Sequence, residues 1–312
     1  MASTQWTNYW SQGNITSLPL DFNGNYDAEI KAFWNEQFKP LESGATVLDV
    51  CSGNGAIALL AAEYALENSI DLKIIATDAA KIDREAIKAA APTLEKAIEL
   101  IQFIDDTPLE QLQLDDGSVD LITSQYGVEY TDWSVVAELF ERWLKPGGHI
   151  AMISHSVDSA IIEKMNAEKK EYDIVESTGF FGRARQVLKH NPTQKELQGL
   201  LEPVGQELYR SLLTQFSPVL KPLMQTAQFV FKASPEQFRD QKKQIIHFLS
   251  SLVDAKLRLN DLLTVHKRFN DHPEWFKTFE FNGVSLVSAG KVVYQGKHPA
   301  GETYVLGKSA GQ

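Results

Sequence analysis

The stretch Val47-Leu48-Asp49-Val50-Cys51-Ser52-Gly53-Asn54-Gly55 runs from apolar residues through an acid into small ones, and a helical pattern from Ala56 to Glu67 follows at once. A strand, a glycine-rich turn and a helix N-terminus make a site for a nucleotide-type ligand. Glycine lets the ligand approach main-chain amides without a Cβ in the way, and it tolerates positive φ. Gly53, Asn54 and Gly55 with Ala56-Ile57-Ala58 satisfy the dinucleotide spacing G-x-G-x-x-G/A. Asp78 lies 23 residues past Gly55, after Ile74-Ile75-Ala76-Thr77, where a carboxylate accepts from ribose hydroxyls. Neither feature separates one adenosine ligand from another.

Asp49 makes that separation. A negative charge four residues before Gly53 gains nothing from a diphosphate. It suits S-adenosylmethionine, whose ammonium and sulfonium are positive; the plainer role is capping of turn amides. Further along, Gln125-Tyr126-Gly127-Val128-Glu129-Tyr130 leaves a strand at the edge where such sheets bind ligands. Tyr126 there is a wall for a cation or ordinary packing. Glu129 orients an acceptor, acts as a base, or caps a helix. His155, just past the next strand, is a base, an acceptor ligand or a structural histidine. Tyr9, Trp10 and Tyr26 fold over the ligand as a lid or pack into the core. Phe180-Phe181-Gly182-Arg183-Ala184-Arg185 reads as an acceptor loop whose arginines hold a carboxylate, or as a surface loop with an apolar anchor. Cys51 fits a small packing residue better than a catalytic thiolate.

The elements that must position these groups alternate. Strand-like runs at Thr46–Val50, Leu72–Thr77, Leu100–Ile104, Val119–Ser124 and His149–Ser154 are separated by helical stretches at Ala56–Glu67, Asp83–Ala90 with a piece after Pro92, and Trp133–Leu144. Asp27–Lys39 reads as an amphipathic helix, and the polar segment before it carries scattered aromatics. This pattern predicts an α/β fold: a Rossmann-like, mostly parallel sheet with helices on both faces. Residues 156–270 are largely helical, with breaks expected at Pro192, Pro203, Pro218, Pro222 and Pro235. Phe279–Val287 and Thr303–Leu306 then return as an antiparallel strand pair. The expected divisions are an N-terminal segment 1–40, a core 41–155, a helical cap inserted at 156–270 above the sheet, and C-terminal strands in 271–312.

Four segments in order resemble the class I S-adenosylmethionine-dependent methyltransferases: Val47–Gly55, Ala76-Thr77-Asp78, Phe103-Ile104-Asp105-Asp106-Thr107, and Asp116–Ser124 with Leu144-Lys145-Pro146-Gly147-Gly148-His149. They cover roughly residues 45–155. Cys51 departs from the pattern, standing where glycine is usual. The resemblance implies that Asp49 and Gly53 line the methionine end within the turn Cys51–Gly55, and that Asp78 holds the ribose. It implies that Asp106, or the adjacent Asp105, accepts from the adenine amine while Thr107 offers a main-chain donor. Ser124, Gln125 and Tyr126 would stand beside the sulfonium.

Composition narrows the partners. One cysteine in 312 residues excludes an internal disulfide and fits a reducing compartment. The first residues lack a secretory pattern and no apolar run is long enough for a bilayer, so a cytoplasmic protein is expected. Residues 1–155 hold 9 Lys and Arg against 24 Asp and Glu, which disfavours nucleic acid. Residues 156–270 hold 17 against 13, which fits an anionic acceptor or a solvated helical surface. Histidine and cysteine show no zinc-like spacing. The expectation is methyl transfer to an oxygen or nitrogen of a small molecule held under the helical cap. An NAD-dependent oxidoreductase, a methyltransferase of protein or RNA, and a non-catalytic cofactor-binding regulator are the alternatives. Oligomeric state is not legible.

Overall fold

Aliphatic runs bounded by polar turns become strands β1 (Ala45–Val50), β2 (Leu72–Thr77), β3 (Ile101–Ile104), β4 (Val119–Gln125) and β5 (Leu144–Ser154) in a computed structural model that describes residues 4–17, 22, 24–156, 159–211 and 217–310. They pair in parallel, and two later strands, β6 (Val284–Tyr294) and β7 (His298–Lys308), complete a seven-stranded sheet of order β3-β2-β1-β4-β5-β7-β6. β7 runs antiparallel to both β5 and β6. The chain is therefore Rossmann-like, as expected.

Every residue of β1 is buried, as a central parallel strand requires. Its side chains alternate between two cores. Val47 packs with helices α2 (Ala28–Phe38) and α3 (Ala56–Asn68), whereas Leu48 and Val50 pack with α6 (Trp133–Trp143). Asp49 thus points to the same face as Val47, toward the start of α3. Parallel register sets Asp49 beside Thr123 of β4.

Several boundaries differ from the sequence reading. β5 begins at Leu144, with an irregularity in its pairing to β4 between Val119 and Leu121. The last two strands are longer than expected and form a hairpin turning at Gln295-Gly296-Lys297, so Gly290, Pro299 and Gly301 lie in strands rather than in the connection. Residues 275–279 are a short 3-10 helix whose Trp275 and Phe279 are buried, because aromatic packing overrides their strand propensity. The N-terminal segment forms α1 (Thr4–Trp10). The shorter helices α4 (Arg84–Ala90) and α5 (Glu95–Glu99) precede β3 in sequence.

Two compact units divide the chain, one of residues 1–158 with 265–312 and one of residues 159–264. The second holds α7 (Ser159–Ser177), α8 (Phe180–Val187), α9 (Gln194–Ser211), α10 (Leu220–Lys232) and most of α11 (Pro235–Asp271). Phe180, Leu197, Leu201, Leu223, Val230 and Leu249 are fully buried in a core of its own. No described helix is long and apolar enough to cross a membrane.

Pro203 lies inside α9 rather than ending it. A proline there leaves the carbonyl four residues earlier, Gly199, without its helical donor. Arg183 supplies one: Nη1 donates to Gly199 O at 3.0 Å, and Nη2 reaches Leu200 O and Thr178 O at 3.3 Å. The Phe180–Arg185 run is accordingly a helix with Phe180 and Phe181 in the core, and Arg183 satisfies main chain instead of an acceptor's carboxylate. Arg183→Met should lower stability of this unit by about 1–2 kcal/mol, the cost of an orphaned carbonyl. Pro203→Ala should recover most of that loss in the double variant, because the substitution restores a main-chain N–H that can serve Gly199 O. Denaturant unfolding of the four variants measures the coupling; independent, additive effects would contradict this assignment.

Candidate active site

Asp49 is 1% exposed. Its Oδ2 accepts from Ala58 N at 3.0 Å, in the first turn of α3, and its Oδ1 accepts from Thr123 Oγ1 at 3.1 Å. Burial drives its carboxyl up to about 7, against the pull of those two donors, and the charge of Asp78 adds to the rise. A buried acid in this state takes on a cation readily.

The turn after β1 is bound tightly to its surroundings. Gly53 has φ 54°, and a Cβ there would sit 2.4 Å from the Trp10 ring, so only glycine fits beneath that indole. Gly55 caps α3 in the left-handed region. Asn54 is fully buried, and its Nδ2 donates to Trp10 O and Asn14 O, both at 2.8 Å. Its expected place on a ligand is taken by the N-terminal segment. Asp78 accepts from Gly53 N and Ala80 N, each at 2.7 Å, which shapes the turn and leaves lone pairs for hydroxyl donors. Asp105 Oδ2 accepts from Ile82 N at 3.0 Å, Asp106 has φ 51°, and Thr107 N donates to Asp78 O. The three thus belong to the same loop cluster as the Asp78 end of β2.

At the end of β4, Ser124 Oγ accepts from Val128 N at 3.0 Å and is buried, so it holds the following loop rather than a ligand. Gln125 Oε1 accepts from Trp34 Nε1 at 2.7 Å. Tyr126 adopts φ 55°, and its hydroxyl donates to Ala300 O. Gly127 packs where a Cβ would come within 2.5 Å of Cys51 Cβ, so the loop can lie against the turn only with glycine here. Glu129 is fully buried, and its Oε1 meets both the main-chain N and the Nδ1 of His155, at 3.1 and 2.7 Å. This carboxylate fixes the imidazole with Nε2 as the remaining nitrogen.

Arg268 braces the same loop, donating to Glu129 O and Thr131 O at 2.9 Å with its guanidinium 3.8 Å from the Trp133 ring centroid. His266 lies close by, 3% exposed, its ring 6.4 Å from that of His155. Burial, then the charge of His155, pushes its pKa down. Neither residue was expected from the sequence.

A cleft gathers part of this set. Asp49, Cys51, Gln125, Tyr126, Tyr26, Trp10 and His155 line it, together with Trp6, Tyr130 and Ser52, which were not singled out for the ligand beforehand. Tyr9 does not; its hydroxyl donates to Thr16 O at 2.9 Å. Trp6 and Trp10 take that role because they share one side of α1, their rings stacked 6.1 Å apart. Their i, i+4 spacing was the available signal. Burial and four surrounding carboxylates push the Cys51 thiol up, so it remains protonated and unreactive. Among the described residues no Lys or Arg lines the cleft, and no cluster of three or more His, Cys, Asp or Glu could hold a metal ion. An uncompensated acid in an aromatic cleft, beside a glycine turn that has no room for a Cβ, fits S-adenosylmethionine and not a diphosphate.

The profile of a family described as Methyltransferase domain matches residues 41–205. No curated protein matches this chain. Among solved structures it is similar to geranyl diphosphate C-methyltransferase from Streptomyces coelicolor A3(2), at 14% identity over 40% of this chain and 42% of that one, TM-score 0.33. A SAM-dependent methyltransferase from Aquifex aeolicus is 19% identical over 49% and 74%, TM-score 0.36. Phosphoethanolamine N-methyltransferase 1 from Haemonchus contortus is 18% identical over 51% and 34%, TM-score 0.34. This chain thus spans less than half the length of the first and third of these.

The Asp49 carboxyl titrates near 7 in the fold against 3.8 when free, so it favours the ligand-free fold most below pH 3.8, and that contribution is lost as pH rises through about 7. Ligand binding runs in the opposite sense, because the ammonium prefers the carboxylate. Affinity for S-adenosylhomocysteine should be flat above about pH 8 and fall toward about tenfold per unit below 7. Asp49→Asn should weaken binding roughly tenfold or more at pH 8 and remove the slope. Calorimetry across pH decides; an unchanged slope in the variant would assign the titration to another group.

Proposed function

Because this chain belongs to the class I S-adenosylmethionine-dependent methyltransferases, we propose that it transfers a methyl group to an oxygen or nitrogen of a small-molecule acceptor, with His155 as the base. The observation that carries this reading is the Glu129–His155 pair, whose imidazole reaches the cleft that contains Asp49. S-adenosylmethionine, when bound, supplies an electrophilic methyl on a good leaving group.

The chain's own contribution is placement and proton handling. Asp49 holds the ammonium, and Asp78 accepts from the ribose. Asp106 or Asp105, with Thr107, takes the adenine side. Tyr126 and Tyr26 bound the cleft with rings. The Tyr26 hydroxyl, pushed up to about 12 by burial, stays protonated. Glu129 holds the His155 ring in one orientation and stabilises it once it has taken the acceptor's proton. Glu129 is therefore a positioning residue, and His155 is the catalytic one.

Purified protein with tritium-labelled S-adenosylmethionine and a metabolite extract should place label in small molecules. Label confined to protein or RNA would refute the reading. His155→Ala should lower kcat about 10²–10⁴-fold with S-adenosylhomocysteine affinity unchanged. Glu129→Gln should lose less and shift the acidic limb of the pH–rate profile, a readout that a merely structural loss would leave in place.

A further inference from the structure

Six rings enclose the cleft in an unbroken series. Trp10 stacks on Trp6 at 6.1 Å, and Trp6 meets Tyr130 edge-on at 6.1 Å. Tyr130 meets His155 at 5.9 Å, His155 meets Tyr126 at 4.8 Å, and Tyr126 meets Tyr26 at 6.4 Å. All six line the same space. Among the described residues the only acid on its wall is Asp49, and Glu129 stands directly behind His155. The described lining offers no guanidinium or ammonium.

From this girdle of aromatic faces around an acid, with no basic side chain on the described wall, we infer that the acceptor is a small amine methylated on nitrogen. The inference rests on the methyl-transfer reading above and narrows it. A carboxylate, phosphate or phenolate acceptor must bring negative charge toward Glu129 behind His155, on a described wall that offers no basic side chain, with only the cofactor's own charge to offset it. An amine brings none. Its lone pair forms the new N–C bond as the methyl carbon's bond to sulfur breaks, and the sulfur keeps that electron pair as S-adenosylhomocysteine forms. Positive charge passes from sulfur to nitrogen without leaving the ring enclosure, and the surplus proton on nitrogen goes to His155 Nε2. Aromatic faces attract a cation at either position.

The test uses three acceptors on one skeleton: phenethylamine, 4-ethylphenol and 3-phenylpropionate, each with labelled S-adenosylmethionine and the full-length protein. The amine should be methylated at least 100-fold more efficiently than either of the others. The product mimic trimethyl(phenethyl)ammonium should inhibit at least tenfold more tightly than its uncharged carbon isostere, 3,3-dimethylbutylbenzene. That comparison needs no variant and survives any folding defect. Trp6→Leu and Tyr130→Leu should each raise the amine KM by about 3- to 30-fold, with S-adenosylhomocysteine affinity within about twofold; Tyr130→Phe should restore the KM. Equal inhibition by the charged and uncharged mimics overturns the inference. So does label recovered on oxygen, from the panel or from an extract, which leaves the small-molecule reading intact. Label found only in macromolecules removes that reading and this inference together.

Discussion

A carboxylate buried in the middle of a parallel sheet, without a cationic side chain to neutralise it, is the constraint around which this molecule is arranged. Asp49 occupies a strand position that a valine or isoleucine would fill at no electrostatic cost. Its two neutral donors, Ala58 N–H and Thr123 O–H, satisfy its oxygens without cancelling its charge. That leaves the charge to be completed by something outside the chain. The register of β1 against β4 and the start of α3 at Ala56 place those donors within 3.1 Å of its oxygens. A dinucleotide site has the same strand, turn and helix but no use for this acid, and the choice of ligand turns on one side chain.

The second acid of the site has a different task. Glu129 is as buried as Asp49, yet it is spent on a neighbour: both the main chain and the ring of His155 meet its Oε1. Its carbonyl is held by Arg268, so the loop that carries it is braced from a helix 139 residues away in sequence. Orientation of an imidazole by a buried carboxylate removes a rotational freedom that would otherwise be lost on reaction. Cys51, also on the cleft wall, is kept protonated by its burial and by the acids around it.

How much of this was legible depends on sequence separation. Asp49, Gly53, Gly55 and the alternation of strands and helices were readable because each signal is contained in about ten consecutive residues. The mostly parallel sheet with its closing antiparallel pair followed from that alternation, while the strand order came with the structure. Individual acids and aromatics were nameable, but their partnerships were not. Nothing in the local sequence says that Glu129 takes His155 rather than a helix terminus, or that Arg268 takes its carbonyl. Pro203 was misjudged for the same reason: its missing donor comes from Arg183, twenty residues earlier. Asn54 was assigned to the ligand because it stands in the glycine turn, but its amide reaches the N-terminal segment, 40 residues back at Asn14.

That last contact has a consequence for how the cleft is built. Trp10 and Asn14 offer their carbonyls to one buried amide, and the Trp10 ring rests on Gly53, the first glycine of the turn. The turn and the N-terminal segment therefore specify each other. A bulkier residue at position 53 would expel the indole, and without the indole Gly53 would lie open to water. Trp6, one helical turn before Trp10, is carried to the cleft wall by the same attachment, and through Tyr130 it touches the ring that Glu129 orients. The polar segment with its scattered aromatics is a structural wall of the cleft, tied to the glycine turn at one end and to the His155 side at the other.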